Sequence, residues 1–171
     1  YVFGGLRWAG IKQAIVRCAR TTAMIFAIVV GATVFARYLA ITRITHEMTD
    51  SLREMAIPAT LVLLIVVTMY LVLGMFLDTL AMLLLTLPVV FPLITGLGYD
   101  AVWLGIIIVK TAEIGLATPP VGMNLYVVVG AVRNGKMSDA ITGAARFIIA
   151  DLVVLALLIA IPEISLWLTT D

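Results

Sequence analysis

Charge is scarce in this sequence, and so are the side chains of enzyme chemistry. Asp, Glu, Lys and Arg make up 12% of 171 residues, against about 25% in a soluble domain. The formal net charge of +1 leaves no electrostatic footprint for nucleic acid. The single cysteine, Cys18, excludes an internal disulfide and any thiolate metal site. The single histidine opens the run His46-Glu47-Met48-Thr49-Asp50, and a zinc-protease helix needs a second histidine where Asp50 stands. His46 reads as an interfacial surface residue. No nucleophile–base pair is visible, so no enzymatic activity is expected. Tyr1 is not preceded by a charged leader and a short apolar core with a cleavage site, so no signal peptide is expected. The chain reads as the C-terminal piece of a longer polypeptide.

What is abundant is apolar side chain, at 63% of residues. A soluble globule of this size cannot bury so much, so a lipid bilayer is the expected solvent and an all-α integral membrane protein the expected class. Residues 21–41 read as a first span. From Met55 to Leu77 and again from Thr79 to Tyr99 no charged residue occurs. These two stretches form a hairpin over 57–95, either two full crossings or a re-entrant pair with its tip near the midplane. Residues 101–132 make a fourth stretch, interrupted by Lys110, Glu113 and TPPVG, and 143–168 a last span. Two amphipathic segments flank the first span: an interfacial helix over 1–20, with Trp8, Ile11, Ile15 and Cys18 on one face, and a second over 44–55, carrying Ile44, Met48, Leu52 and Met55.

Basic residues set the expected orientation. One side of the membrane receives seven of them (Arg7, Lys12, Arg17, Arg20, Arg133, Lys136 and Arg146), the other only Arg37, Arg43 and Arg53. The richer side is cytoplasmic by the positive-inside rule, so the C terminus is external, with Tyr99, Trp103 and Trp167 in an external aromatic belt.

The run Glu113-Ile114-Gly115-Leu116-Ala117-Thr118-Pro119-Pro120-Val121-Gly122-Met123-Asn124 carries the strongest local signal. Pro119 and Pro120 offer no N–H to the carbonyls of Gly115 and Leu116 four residues earlier. A break here frees hard carbonyl oxygens suited to Na⁺. It also points the positive end of a half-helix starting near Gly122 at the same place; the alternative is a simple kink. Asp78, with Gly74 and Thr79 beside it, sits at the hairpin tip. There it caps the following helix, ligates a cation, or rests in interfacial water. Lys110 pairs with Glu113, three residues on, or holds a substrate carboxylate. Asp151 and Arg146 read as solvated or snorkelling near a membrane edge.

The stretches LGMFLDTLAMLLLTLPVVFP, GYDAVWLGIII and EIGLATPPVGMNLYV, between Leu73 and Val127, resemble the large membrane subunit of tripartite ATP-independent periplasmic (TRAP) transporters. The resemblance extends over nearly the whole chain, with the first 50 residues less diagnostic. It implies one inverted-repeat half of an ion-transporter fold, with a re-entrant hairpin tipped at Gly74 to Thr79 and a proline-broken helix at Thr118 to Gly122. Backbone oxygens around Gly74, Gly115 and Thr118, with Asp78 and Thr79 nearby, then form a sodium site, and Pro119, Pro120, Gly122 and Asn124 lie near the substrate. The implied function is sodium-coupled import of small organic anions, such as C4-dicarboxylates or sialic acid, across a bacterial or archaeal cytoplasmic membrane. The implied partners are a periplasmic substrate-binding protein, a small TRAP membrane subunit and the N-terminal repeat of the same subunit, of which no second copy is detectable here. A structural or assembly subunit without its own transport site is the competing reading.

The orientation is tested with Asn134→Cys and Asp171→Cys, made singly in a Cys18→Ser background. In intact cells an impermeant thiol reagent is expected to label position 171 and to reach position 134 only after permeabilisation. The reverse pattern contradicts the assignment of sides.

Overall fold

The computed structural model describes residues 8–119, 122–132 and 135–167. Pro120, Val121, Arg7, Arg133 and the two labelling positions above lie outside the described residues, as do the ends of the first interfacial segment and of the last span. Every element among the described residues is helical: α1 (Trp8–Thr42), α2 (Ile44–Glu54), α3 (Ala59–Phe76), α4 (Thr79–Gly96), α5 (Ala101–Ala117), α6 (Met123–Ala131), α7 (Met137–Ala160) and the short α8 (Glu163–Leu166). Four of them, α1, α3, α4 and α7, are long and apolar enough to cross a membrane. The chain is an all-α integral membrane protein.

The first helix differs from the division at residue 20 that amphipathicity implies. No proline precedes Pro58, so nothing interrupts the hydrogen-bond ladder. The interfacial segment and the span become one helix of 35 residues, about 52 Å long at 1.5 Å per residue. It ends at Arg43, which adopts a left-handed backbone at φ 54° and redirects the chain into α2. That helix lays the buried Thr45 and Thr49 against α4, and the Thr49 hydroxyl donates to the Thr45 carbonyl at 2.8 Å. Gly96 permits the approach, since a Cβ there would stand 3.2 Å from Thr49 Cγ2. The Arg53 guanidinium donates to the Gly96 carbonyl, placing a cation at the negative end of α4. Ile44, Met48 and Met55 stay exposed, whereas Leu52 packs on the core.

The core forms where α5 packs along α3. Leu63, Val66, Val67 and Tyr70 recur at three- and four-residue spacing on α3, and Leu104, Ile107, Ile108 and Thr111 do so on α5, all buried. Lipid tails are as apolar as these side chains, so close packing rather than exclusion from water must hold the pair together. The contact closes at Gly74 and Gly115. A Cβ on Gly115 would stand 2.8 Å from Gly74 Cα, and a Cβ on Gly74 would stand 3.0 Å from Gly115 Cα. The two backbones touch. From the same stripe of α3, Tyr70 shares a hydrogen bond of 2.5 Å with the Thr86 hydroxyl of α4, which in turn donates to the Met82 carbonyl at 2.8 Å.

Two polar stitches fix α7 to α5. Pro162 has no N–H for the Leu158 carbonyl four residues before it, and α7 stops at Ala160 instead of running to 168. The Trp103 indole fills the gap, donating to that carbonyl at 2.9 Å. Seven residues deeper on each helix, Lys110 Nζ meets Asp151 Oδ1 at 2.7 Å. Antiparallel register explains the match: equal steps along both helices bring the second pair about 10 Å further in. Asp151 is therefore an interhelical partner rather than a solvated edge residue. The Lys110–Glu113 contact expected from sequence exists but is longer, at 3.7 Å.

Glycine substitutions test the crossing. Gly115→Ala is expected to lower thermal stability in detergent by about 1–3 kcal/mol, because backbone must shift to admit the methyl group. Gly105→Ala, on the same helix but with nothing within 4 Å of its added Cβ, is expected to be neutral or slightly stabilising. Equal melting temperatures for the two variants would show that the crossing is not under constraint.

Charge at depth supplies a second test. Lys110→Met alone strands the Asp151 carboxylate, whereas Lys110→Met/Asp151→Leu removes both charges. The double variant is expected to melt higher than the single one; a lower melting temperature for the double variant would contradict the pairing.

Candidate functional site

The broken helix is built by Thr118. Its φ of −90° and ψ of 130° take the chain out of helical geometry. Its N–H, which a continuing α-helix would give to Ile114, bonds instead to the Gly115 carbonyl at 3.0 Å. Its hydroxyl compensates by donating to the Ile114 carbonyl at 2.5 Å. The Gly115 oxygen is thus not left bare by Pro119, as the sequence implies, because Thr118 N–H takes the missing donor's place. One lone pair on that oxygen is used and one is left, and the Thr118 hydroxyl, having spent its proton, presents only lone pairs. The chain re-enters a helix at Gly122, buried and left-handed at φ 47°. A Cβ there would lie 3.0 Å from Leu125 Cδ1 and 3.2 Å from the Thr118 carbonyl oxygen. Asn124 follows, exposed in the first turn of α6.

The hairpin tip is equally economical. Leu77 N–H closes the last rung of α3 onto Leu73 at 2.8 Å. Among the described residues, no N–H bonds to the carbonyls of Gly74, Met75 and Phe76, the usual orphans of a helix C-terminus. Asp78 then starts α4, its Oδ2 accepting from Leu80 N at 3.1 Å and from Ala81 N at 3.4 Å. The carboxylate is exposed and serves as an N-cap. Thr79 beside it has a buried hydroxyl with no hydrogen-bond partner among the described residues.

Gly74 and Gly115 bring these two pieces together. Each glycine lies two residues before its helix ends, α3 at Phe76 and α5 at Ala117. The crossing therefore sets two helix C-termini side by side, with their orphan carbonyls and both negative dipole ends. Among the described residues no group of three or more His, Cys, Asp or Glu could hold a metal ion. A cation here has to be met by backbone and hydroxyl oxygens, the donor set suited to a hard monovalent ion. The unpartnered Thr79 hydroxyl and the lone pairs of Thr118 fit that requirement.

Of the sequence-derived candidates, the structure joins Gly74 to Gly115, and Thr118 to Gly115 and Gly122. No hydrogen bond among the described residues ties Asp78 or Asn124 to the break, and Pro120 lies outside them. The Asp151 partner of Lys110 and the Leu158 acceptor of Trp103 escaped the sequence reading. Counting four residues back from Pro162 would have exposed the free Leu158 carbonyl.

Residues 1–164 match the family model of the DctM component of the tripartite ATP-independent periplasmic transporter. Similar proteins include the C4-dicarboxylate TRAP transporter large permease protein DctM of Pseudomonas aeruginosa, 32% identical over 97% of this chain and 39% of that protein. The sialic acid TRAP transporter large permease protein SiaM of Vibrio cholerae is 30% identical over 98% of this chain and 39% of its own length. The isethionate TRAP transporter permease protein DctMQ of Oleidesulfovibrio alaskensis is 28% identical over 98% and 26%, respectively. The chain thus spans less than half the length of these relatives. With four apolar helices and a family match covering nearly its whole length, the chain belongs to the DctM component family of tripartite ATP-independent periplasmic transporters, as a multi-pass inner-membrane protein.

Proposed function

We propose that this chain supplies one half of the ion- and substrate-handling core of a sodium-coupled importer of small organic anions. The observation that carries the reading is the convergence of two helix C-termini at Gly74 and Gly115. Side by side, their partial negative charges repel in a medium of low dielectric, and a bound Na⁺ relieves that repulsion. Gly74 and Gly115, whose backbones touch, supply carbonyl oxygens, and Thr79 and Thr118 supply hydroxyl oxygens. Asp78 adds a full negative charge at the tip. The first turn of α6, starting after Gly122 and carrying Asn124, offers N–H groups and a positive dipole end to an anion, with Pro119 nearby in the sequence. A cation and an anion held at one break favour each other's binding, which is what coupling requires.

The relatives' names support an organic anion as cargo, since C4-dicarboxylate and sialic acid carry carboxylates and isethionate a sulfonate. In the proposed assembly the hairpin of α3 and α4 is re-entrant. An N-terminal repeat contributes the second hairpin and broken helix, and the C terminus faces the periplasm. A small TRAP membrane subunit braces the permease, and a periplasmic binding protein delivers the substrate.

The test is uptake of C4-dicarboxylates and sialic acid into proteoliposomes holding the assembled transporter with its binding protein. Thr118→Ala is expected to raise the sodium concentration for half-maximal uptake by about tenfold, in line with the loss of one charge-assisted oxygen contact. Asp78→Asn keeps a helix cap but loses the charge, so a sodium deficit in that variant separates ion binding from capping. Pro119→Ala restores an N–H at the break and is expected to impair coupling. Wild-type uptake indifferent to external sodium would sink the reading, as would robust uptake by this chain alone.

A further inference from the structure

No acidic residue occurs before Glu47. In the same stretch, Lys12, Arg17 and Arg20 stand exposed near the start of α1. Among the described residues none of the three has an ion-pair partner, and Lys110 is the only cation that does. At 100° per residue, Lys12, Val16, Arg20, Gln13 and Arg17 fall within an arc of roughly 140° on the helix, and these five side chains line one open groove. The adjoining arc is apolar, with Trp8, Ile11, Ile15 and Cys18. Because α1 continues unbroken through Arg20 and Thr21, the cationic stripe leads directly into an apolar span. Lys12 lies about 13 Å before Thr21 and Arg20 directly beside it, within snorkelling reach of the headgroup layer.

We propose that this stripe is a binding site for anionic phospholipid headgroups. Arg17 and Arg20 present planar forks that match phosphate oxygens, and Lys12 adds a compact third charge. Trp8, Ile11 and Ile15 border the acyl chains, Trp8 in the interfacial position its ring favours. Continuity with the membrane span selects a lipid over a soluble anion, which would have no use for the apolar arc beside it. The site is independent of the transport reading and lies on a different helix from the hairpin tip and the break.

The test reconstitutes the assembled permease that contains this chain in phosphatidylcholine bilayers with traces of spin-labelled phosphatidylglycerol or spin-labelled phosphatidylcholine. The immobilised fraction of each label is read by electron paramagnetic resonance. Wild type is expected to prefer phosphatidylglycerol by about threefold or more at low salt, with the preference shrinking at 1 M salt. Lys12→Gln/Arg17→Gln/Arg20→Gln should abolish the preference without loss of helical circular dichroism. The charge-keeping Lys12→Arg/Arg17→Lys/Arg20→Lys should retain it, as should Arg37→Gln/Arg43→Gln, which removes one basic residue near the far end of α1 and the one just after it. Equal association of both lipids with wild type would overturn the proposal, and so would a preference that survives the glutamine variant or is lost in the charge-keeping one. Displacement of the labelled phosphatidylglycerol by millimolar inorganic phosphate would also overturn it, by assigning the groove to a soluble anion.

Discussion

Where α3 crosses α5, two glycine backbones meet with no room for a methyl group between them. Much of the molecule is arranged around that contact. It draws Leu63, Tyr70, Leu104 and Ile107 into a well-packed layer, and it sets the depth at which the hairpin turns relative to the helix break. It also leaves an electrostatic debt, because two C-terminal dipole ends of like sign are pressed together. Asp78 and the Thr118 backbone each address a different part of the local polarity. Asp78 neutralises the N-terminus of α4, and Thr118 closes two carbonyls of α5. Among the described residues the carbonyls at the end of α3 and the hydroxyl of Thr79 are left over, and they are the oxygens that the proposed function would offer to a cation.

Many polar groups elsewhere are satisfied inside the protein, as low-dielectric surroundings demand: threonine hydroxyls of α3, α4 and α5 donate to carbonyls of their own helices, and three longer side chains reach a neighbouring helix. Tyr70 reaches Thr86, Trp103 reaches the carbonyl that Pro162 leaves open, and Lys110 reaches Asp151. These contacts bind α4 to α3 and α7 to α5 at defined registers. Helices that share lipid tails as their surroundings have little apolar driving force to choose one register over another. Hydrogen bonds and close backbone approach supply that choice. The helix break and the hairpin tip are thereby held by stiff neighbours on both sides.

That the chain is built of apolar helices was legible in the sequence because long uncharged runs leave few alternatives, and the interruption at Thr118 to Gly122 falls between the end of α5 at Ala117 and the start of α6 at Met123. Two boundaries were less legible. The division of α1 at residue 20 rests on a change in amphipathicity, which does not break a helix where neither proline nor glycine interrupts the ladder, and none occurs from Ile11 to Val30. The end of the last span was placed beyond Pro162 because hydropathy continues there, whereas the missing N–H stops the helix at Ala160. The candidate site was half legible. Glycine and proline positions mark where backbone departs from the ordinary, so Gly74, Gly115 and Gly122 could be picked out. Which donor would replace the missing one at Gly115 depends on the Thr118 backbone angles, and the partner of Lys110 depends on antiparallel register; neither is written in local spacing.

The glycine crossing and the cation site are linked most directly by one measurement: sodium-dependent thermal stabilisation of the assembled permease, compared between wild type and Gly115→Ala. If the crossing positions the cation oxygens, sodium raises the melting temperature of wild type while potassium does not, and the sodium increment is lost in Gly115→Ala even though the variant remains helical and membrane-inserted. A sodium increment of the same size in both proteins would show that the ion is held elsewhere, and that the meeting of the two helix ends has no part in binding it.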